Sequence, residues 1–254
     1  MKFLTRTKIY NFLKLHQIKK NDIVFVHGNA AVIKQMNGKN NKQKINNFWS
    51  SFLDYFAKDG TVIVPTFTYS LTKNKIFNPK NTLSSIGLFS ETFRKLKFTK
   101  RSNHPILSVS HFGKLSQQIN KTSDKTCFGK NSIYELLYKK NAKLLCLGCS
   151  YNELTFAHYI EEKLKVRYRY HKFFEGYYYK NNKKKFIKCD YFVRDLKYKY
   201  KTKLNLRKII ASLKKNKKYK SNAIGYMPAH SVKVRDLLTK AKKHILQNKH
   251  YLIN

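Results

Sequence analysis

Apolar residues along this chain alternate between two spacings, and the changes of spacing mark out its elements. Ile9, Phe12, Leu13 and Leu15 recur among lysines at helical intervals, which predicts an amphipathic helix within residues 5–20. The uninterrupted run Ile23-Val24-Phe25-Val26 predicts a strand buried on both faces, ending at His27-Gly28-Asn29. Phe48, Trp49, Phe52, Tyr55 and Phe56 return to intervals of three and four, so a helix packs there until Asp59-Gly60 stops it. Thr61-Val62-Ile63-Val64-Pro65 follows as a second strand and closes a βαβ unit. Ile86, Phe89, Phe93 and Leu96 predict another helix, 106–110 and 144–147 further strands, and 153–164 a further helix.

Beyond Lys165 the texture changes. Residues 166–179 and 186–193 are dense in Tyr, Phe and Val around Asn181-Asn182-Lys183, which predicts an antiparallel hairpin, with the sheet becoming mixed there. Leu204, Leu206, Ile209, Ile210 and Leu213 predict a helix in the lysine-dense segment 200–221, and a last helix is expected over 231–248. No internal repeat is visible. The fold class expected is α/β, with a mixed, largely parallel central sheet flanked by helices and an antiparallel hairpin in the C-terminal third. A single domain is expected over 1–254, its core at about 20–165 and a hairpin and helical elaboration at about 166–254.

Charge alters this picture of an ordinary α/β domain. Lys and Arg number 54 against 13 Asp and Glu, for a formal charge of +41. Part of that excess follows from a Lys-, Asn-, Ile-, Phe- and Tyr-rich composition of the kind an A+T-rich genome imposes. The resulting field still attracts anions, among them phosphates, nucleotide sugars, nucleic acid and acidic membrane surfaces, and repels polycations. No run of about 18 apolar residues exists to form a transmembrane helix. The basic start, with Lys2, Arg6 and Lys8, lacks a signal-type apolar core and cleavage site, so a cytoplasmic protein is expected. Cysteines 127, 146, 149 and 189 make no disulfide framework and are expected to be reduced.

Against so few carboxylates, Glu153, Glu161 and Glu162 all fall within five positions of His158. On a helix, Thr155, His158 and Glu161 or Glu162 form one stripe, and a carboxylate beside an imidazole fixes its tautomer and raises its basicity. His158 is therefore a candidate general base, the alternative being an ordinary solvated helix face. Cys146-x-x-Cys149 lacks the second ligand pair that structural zinc requires, so no metal is expected. Cys149 could be an acyl-accepting nucleophile with His158 as its base, though packing is the favoured reading. Gly-rich dinucleotide and nucleoside-triphosphate loops are absent. The basic and aromatic residues of 167–174 could stack single-stranded nucleic acid, but an edge hairpin with protective lysines fits them better. The loop Arg101-Ser102-Asn103-His104-Pro105 could grip a phosphate or a carbonyl, or be a structural turn.

Taken in order, 21–27, 60–68, Phe77-Asn78-Pro79 with 85–94, Arg101-Ser102-Asn103-His104-Pro105 with Ser108-Val109, and 145–148 leading to Thr155-x-x-His158-x-x-Glu161 resemble the aminoglycoside 3-N-acetyltransferase family. Gly225 and Val234-Arg235-Asp236-Leu237 extend the likeness toward the C-terminus. The resemblance implies an acetyl-CoA-dependent N-acyltransferase without a metal, on an α/β fold unlike the common small acetyltransferase fold. It makes His158 the general base and Glu161 its supporting carboxylate, with Thr155 in the same catalytic set. It assigns His27, Gly28 and Asn29, Thr66 and Thr68, and Arg101, Ser102 and His104 to the CoA tunnel and catalytic cleft. After the first strand the family carries hydroxyl residues where this chain has Gly28-Asn29-Ala30, leaving backbone N–H groups as the donors there. The acceptor the family name suggests, a polycationic aminoglycoside, conflicts with the charge. An amino sugar linked to a nucleotide or lipid in surface-glycan synthesis suits it better. A catalytically inactive module binding nucleic acid or an anionic membrane is the rival of another class. Nucleic acid is not the expected partner, whereas peripheral contact with an anionic membrane is compatible with the charge.

Overall fold

The structure, a computed structural model, describes residues 3–57, 59–198 and 201–253; Lys2 and residue 200, which begin two of the segments considered above, lie outside them. The order is α1(Arg6–Leu15), β1(Ile23–Gly28), α2(Ala30–Lys34), α3(Asn41–Phe56), β2(Thr61–Pro65), α4(Leu88–Arg94), β3(Lys100–Arg101) and β4(Val109–Gly113). Then come α5(Ser116–Asn120), α6(Ile133–Lys139), β5(Lys143–Leu147), α7(Phe156–Lys163), β6(Arg169–Lys180), β7(Lys183–Arg194), α8(Arg207–Lys215), β8(Tyr219–Ile224), β9(Met227–Lys233) and α9(Val234–Gln247).

Strand residues alternate between two cores. Phe25, Ile63, Leu144 and Cys146 face one, while Val24, Val26, Val62, Val64, Leu145 and Leu147 face the other. A period of two on strands whose two faces are both apolar requires helices on both sides, the layered arrangement the hydrophobic pattern predicts. The central sheet runs β3-β4-β2-β1-β5-β9-β8. Neighbours pair in parallel at β2-β1-β5 and antiparallel elsewhere, so β4 and β9 oppose the other five strands.

Two expectations need correcting. The hairpin does not make the central sheet mixed; β6 and β7 form their own two-stranded sheet, tied to the body by bridges Phe77↔Tyr178 and Thr126↔Asp190. The strand expected at 106–110 begins at Val109, because Ile106 and Leu107 sit in a buried turn whose N–H groups both donate to His104 Nδ1. A buried apolar run looks the same in sequence whether it is strand or turn. Strands β8 and β9 and helices α5 and α6 had no counterpart in the reading of the sequence. In β8 only Tyr219 and Ile224 are buried around a polar stretch, a pattern too thin to register as strand. No helix among the described residues is long and apolar enough to cross a membrane.

Burial drives the pKa of His16 to about 4, of His27 to about 3 and of His111 to about 4, so all three are neutral in the fold. Below about pH 6.5 the unfolded chain binds protons at these rings that the folded chain does not. Stability therefore falls as pH drops from 6.5 toward those values, by up to about 1.4 kcal/mol per pH unit for each ring. Denaturant titrations at pH 7 and pH 5 are expected to show a lower midpoint at pH 5, and equal midpoints would contradict this.

Candidate active site

Helix α7 starts beyond the carboxyl end of β5, where α/β sheets keep their chemistry. Phe156, Ala157, Tyr159 and Ile160 bury its inner face, which fixes the register and turns His158 to the edge of a cleft of about 480 Å³. Three residues on, Glu161 is completely buried, with Oε2 2.7 Å from His158 Nδ1.

A third residue closes the cluster. Arg169, at the start of β6, places Nε 2.7 Å from Glu161 Oε2 and Nη2 2.9 Å from His158 Nδ1, while Nη1 donates to the Phe192 carbonyl. The Arg169 Nε contact with Glu161 is an ion pair and not an aligned hydrogen bond. Two tautomers of His158 compete. If Nδ1 is bare it accepts from Arg169 but sets its lone pair against a carboxylate oxygen; if it carries the proton it donates to Glu161. At 2.7 Å from a buried carboxylate the second arrangement wins, and it leaves the ring's free lone pair on Nε2, in a side chain that lines the cleft. Arg169 then balances the Glu161 charge. The Tyr168 hydroxyl borders the same carboxylate, and burial together with that charge pushes its pKa up, so it stays protonated.

Thr155 belongs to a neighbouring group. Its Oγ1 accepts from the Tyr134 hydroxyl at 2.9 Å and lies 3.5 Å from Nε2 of His27, at the end of β1, so the stripe splits between two clusters. Gly28 passes so close to Phe89 that a Cβ would lie 2.5 Å from its ring, and Asn29 caps α2 by accepting from Ala31 N–H.

The remaining residues expected around CoA are engaged by the chain itself. Thr66 and Thr68 donate to the Ser108 and Pro105 carbonyls, and Ser102 Oγ accepts from Val109 N–H. Arg101 donates to the carbonyls of Thr66, Pro79 and Thr82 and lies over the Phe77 ring, and burial lowers its pKa to about 9. It also lines a second cleft, with Lys80, Arg94 and Lys100. His104 is buried, its Nδ1 accepting from Ile106 and Leu107 N–H and its Nε2 donating to the Thr126 carbonyl. Its ring, Cys127 and Cys189 bring three ligand-type atoms within 4.8 Å. A metal on Nε2 would need the ring proton moved to Nδ1, where two N–H groups already point, so this donor set fits an internal hydrogen-bond cluster.

Cys146 is buried in the core, its pKa raised by the Cys149 contact and burial, and Cys149 is half-exposed. Cys149→Ser is expected to keep most of the activity, with initial-rate lines that intersect when both substrates are varied. Parallel lines and a trapped acetyl-cysteine would instead establish a covalent route.

Arg169 escaped the reading of the sequence because it sits among basic residues. The available signal was its type: arginine is scarce beside lysine here, and Arg94, Arg101, Arg169 and Arg235 each use the guanidinium fork on two or more acceptor groups or carbonyls.

The model of the family described as aminoglycoside 3-N-acetyltransferase matches residues 25–245. The chain belongs to the aminoglycoside 3-N-acetyltransferase family. The match takes in most of β1, the His158 cluster, the hairpin and nearly all of α9. A relative from Bacillus subtilis (strain 168), the SPbeta prophage-derived aminoglycoside N(3')-acetyltransferase-like protein YokD, is 25% identical over 183 residues, 63% of this chain and 65% of that protein. The chain thus matches slightly less than two thirds of that relative. Among solved structures, AAC-IIIb in binary complex with CoASH has a TM-score of 0.82 at 17% identity, over 96% of this chain and 97% of that one. AAC-VIa bound to sisomicin has a TM-score of 0.80 at 12% identity, over 96% and 97%. At these identities the likeness establishes the fold that this aminoglycoside 3-N-acetyltransferase family member shares with them.

Proposed function

We propose that this chain transfers an acetyl group from acetyl-CoA to the amine of an amino sugar carried on a nucleotide or lipid diphosphate. The observation that carries the transferase half is the His158–Glu161 pair, 2.7 Å apart, with His158 lining an open cleft. The amine attacks the thioester carbonyl, His158 Nε2 takes the amine proton, and CoA leaves as the thiol. Glu161 holds the productive tautomer and stabilises the imidazolium that forms, while Arg169 pairs with Glu161 from the hairpin side. In this reading Thr155 ties the start of α7 to His27 near the end of β1, and Gly28 and Asn29 carry the chain from there into α2. Thr66, Thr68, Arg101, Ser102 and His104 hold together the loops that follow β2 and β3.

The acceptor half rests on charge. The cleft wall carries Arg169, Arg194 and Lys203 against Glu153, and with Arg169 matched by Glu161 it keeps a positive balance inside a field of +41. A polycationic acceptor needs carboxylates in that wall; a diphosphate-linked sugar needs cations. The second reading, an aminoglycoside acceptor, is favoured by the family and by AAC-VIa, whose structure holds sisomicin.

Release of CoA thiol with a panel of aminoglycosides, amino sugars and nucleotide-linked amino sugars tests both halves. No release with any amine would remove the transferase reading in favour of a binding module. Salt separates the acceptors by sign. For an anionic acceptor kcat/KM is expected to fall as salt screens the field, and for a polycation to rise as repulsion is relieved. A high aminoglycoside kcat/KM that falls with added salt would overturn the acceptor proposed here.

A further inference from the structure

We propose that a third cleft, at the opposite end of the sheet from His158, binds a small anion of the diphosphate class. This cleft, of about 670 Å³, lies between the end of α1, the turn from α8 to β8 and the junction of β9 with α9. It shares no lining residue with the His158 cleft. Lys143 and Lys233, the first residue of β5 and the last of β9, pair across the sheet on its floor, whereas His27 and Leu147 mark the other ends of β1 and β5.

Three observations converge on an anion. The first is charge beyond what composition supplies. Six of the eleven lining residues are lysines, where 54 basic residues in 254 would put about two. Lys143 is paired with Asp22 and Lys218 with Asp236, which leaves Lys19, Lys217, Lys220 and Lys233 without an ion pair among the described residues. The second is a buried polar atom without a partner. His16 is only 2% exposed, its Nδ1 lies 2.8 Å from Ser231 Oγ, and its Nε2 is buried with nothing bonded to it. In the tautomer in which the Ser231 hydroxyl donates to Nδ1, the ring proton is on Nε2. A buried N–H with no acceptor costs about 1–3 kcal/mol, which a ligand oxygen would offset by displacing the wall that covers the ring. Burial, with His230 and Lys220 nearby, keeps the ring neutral, so it acts as a donor and not as a further cation.

The third observation is the start of α9, a 14-residue helix whose N-cap, Lys233, makes no side-chain cap. Lys233 and Asp236 both line the cleft, so the positive end of that helix dipole opens into it, with Asp236 already neutralised by Lys218.

Size and charge choose the ligand class. A phosphate monoester, at about −1.5 to −2, balances only half of four free lysines. Apart from His16 the walls offer no aromatic ring on which a nucleobase could stack. A diphosphate group meets the charge without requiring a base. This inference is independent of the acceptor proposed above, because it concerns a different cleft and is read by binding alone.

The test titrates the full chain with inorganic diphosphate at about 150 mM NaCl, where long-range field effects are screened. Heat and the His16 imidazole signals in 1H–15N spectra are followed together. One saturable site is expected, with the His16 signals shifting along the same isotherm, and inorganic monophosphate binding at least about tenfold more weakly. Lys217→Ala with Lys220→Ala is expected to weaken diphosphate binding by about tenfold or more. Lys183→Ala with Lys185→Ala, which removes the same charge from the exposed hairpin turn, should change it less than about twofold. Equal losses in the two double variants would mean that only the general field binds the ion. His16 signals unmoved at saturation would place the ion elsewhere, and monophosphate binding as tightly as diphosphate would refute the ligand class.

Discussion

His158→Ala is expected to lower kcat by about 10²–10⁴-fold, the usual scale for loss of a general base, while KM for acetyl-CoA changes little. The expectation rests on geometry that singles out one nitrogen. Nδ1 is held 2.7 Å from Glu161, which leaves Nε2 as the free nitrogen of a ring that lines the cleft, so alanine removes the proton acceptor and leaves its support standing. The Glu161–Arg169 ion pair does not need the imidazole to persist, since Arg169 contacts Glu161 directly and is further anchored on the Phe192 carbonyl. The variant should therefore melt near the parent temperature, which separates a chemical defect from an unfolded protein. Near-parental turnover by a folded His158→Ala would remove the general-base assignment. A fall in kcat accompanied by an equal rise in KM for acetyl-CoA would instead point to a role in donor binding.

Elements whose period was continuous over a turn or more were legible in the sequence. β1, β2, β5 and α3 fall where their apolar spacing puts them, because each buries a whole face or both faces. The hairpin strands were legible as strands, and their partner was not. Whether a hairpin joins a sheet depends on which edge is open, and β9 already covers β5. The His158–Glu161 contact could be anticipated because residues three apart on a helix are neighbours whatever the fold. Arg169 reaches the same carboxylate from the hairpin, and Thr155 turns to His27, 128 positions away in sequence. Contacts of that kind are set by tertiary packing, which local spacing does not encode. For the same reason Thr66, Thr68, Ser102 and His104 had the right chemistry for a ligand, yet their polar atoms satisfy buried backbone groups.

The second large effect is expected at the buried pair, where adding a substitution should restore part of what the first one removes. Glu161 is fully buried and the Arg169 side chain 4% exposed, so removing either leaves an uncompensated buried charge at a cost of about 3–5 kcal/mol. Glu161→Leu and Arg169→Met should each lose that much in denaturant titrations. The double variant should lose distinctly less than the sum, since apolar side chains of similar volume replace a buried pair at little cost. Activity should follow the tautomer and not the stability. With Glu161 gone, Nη2 of Arg169, 2.9 Å from His158 Nδ1, becomes the donor to that nitrogen. The ring proton then moves to Nε2 and the base is blocked, a wrong-tautomer defect of about 10²–10⁴-fold. Adding Arg169→Met removes the donor and frees His158 to carry its proton on either nitrogen, so the double variant should be more active than Glu161→Leu alone. Arg169→Met alone keeps the Nδ1–H···Glu161 bond and should be the most active of the three. If the double variant is no more active than Glu161→Leu, Arg169 does not act through the imidazole proton, and its place beside His158 is structural only.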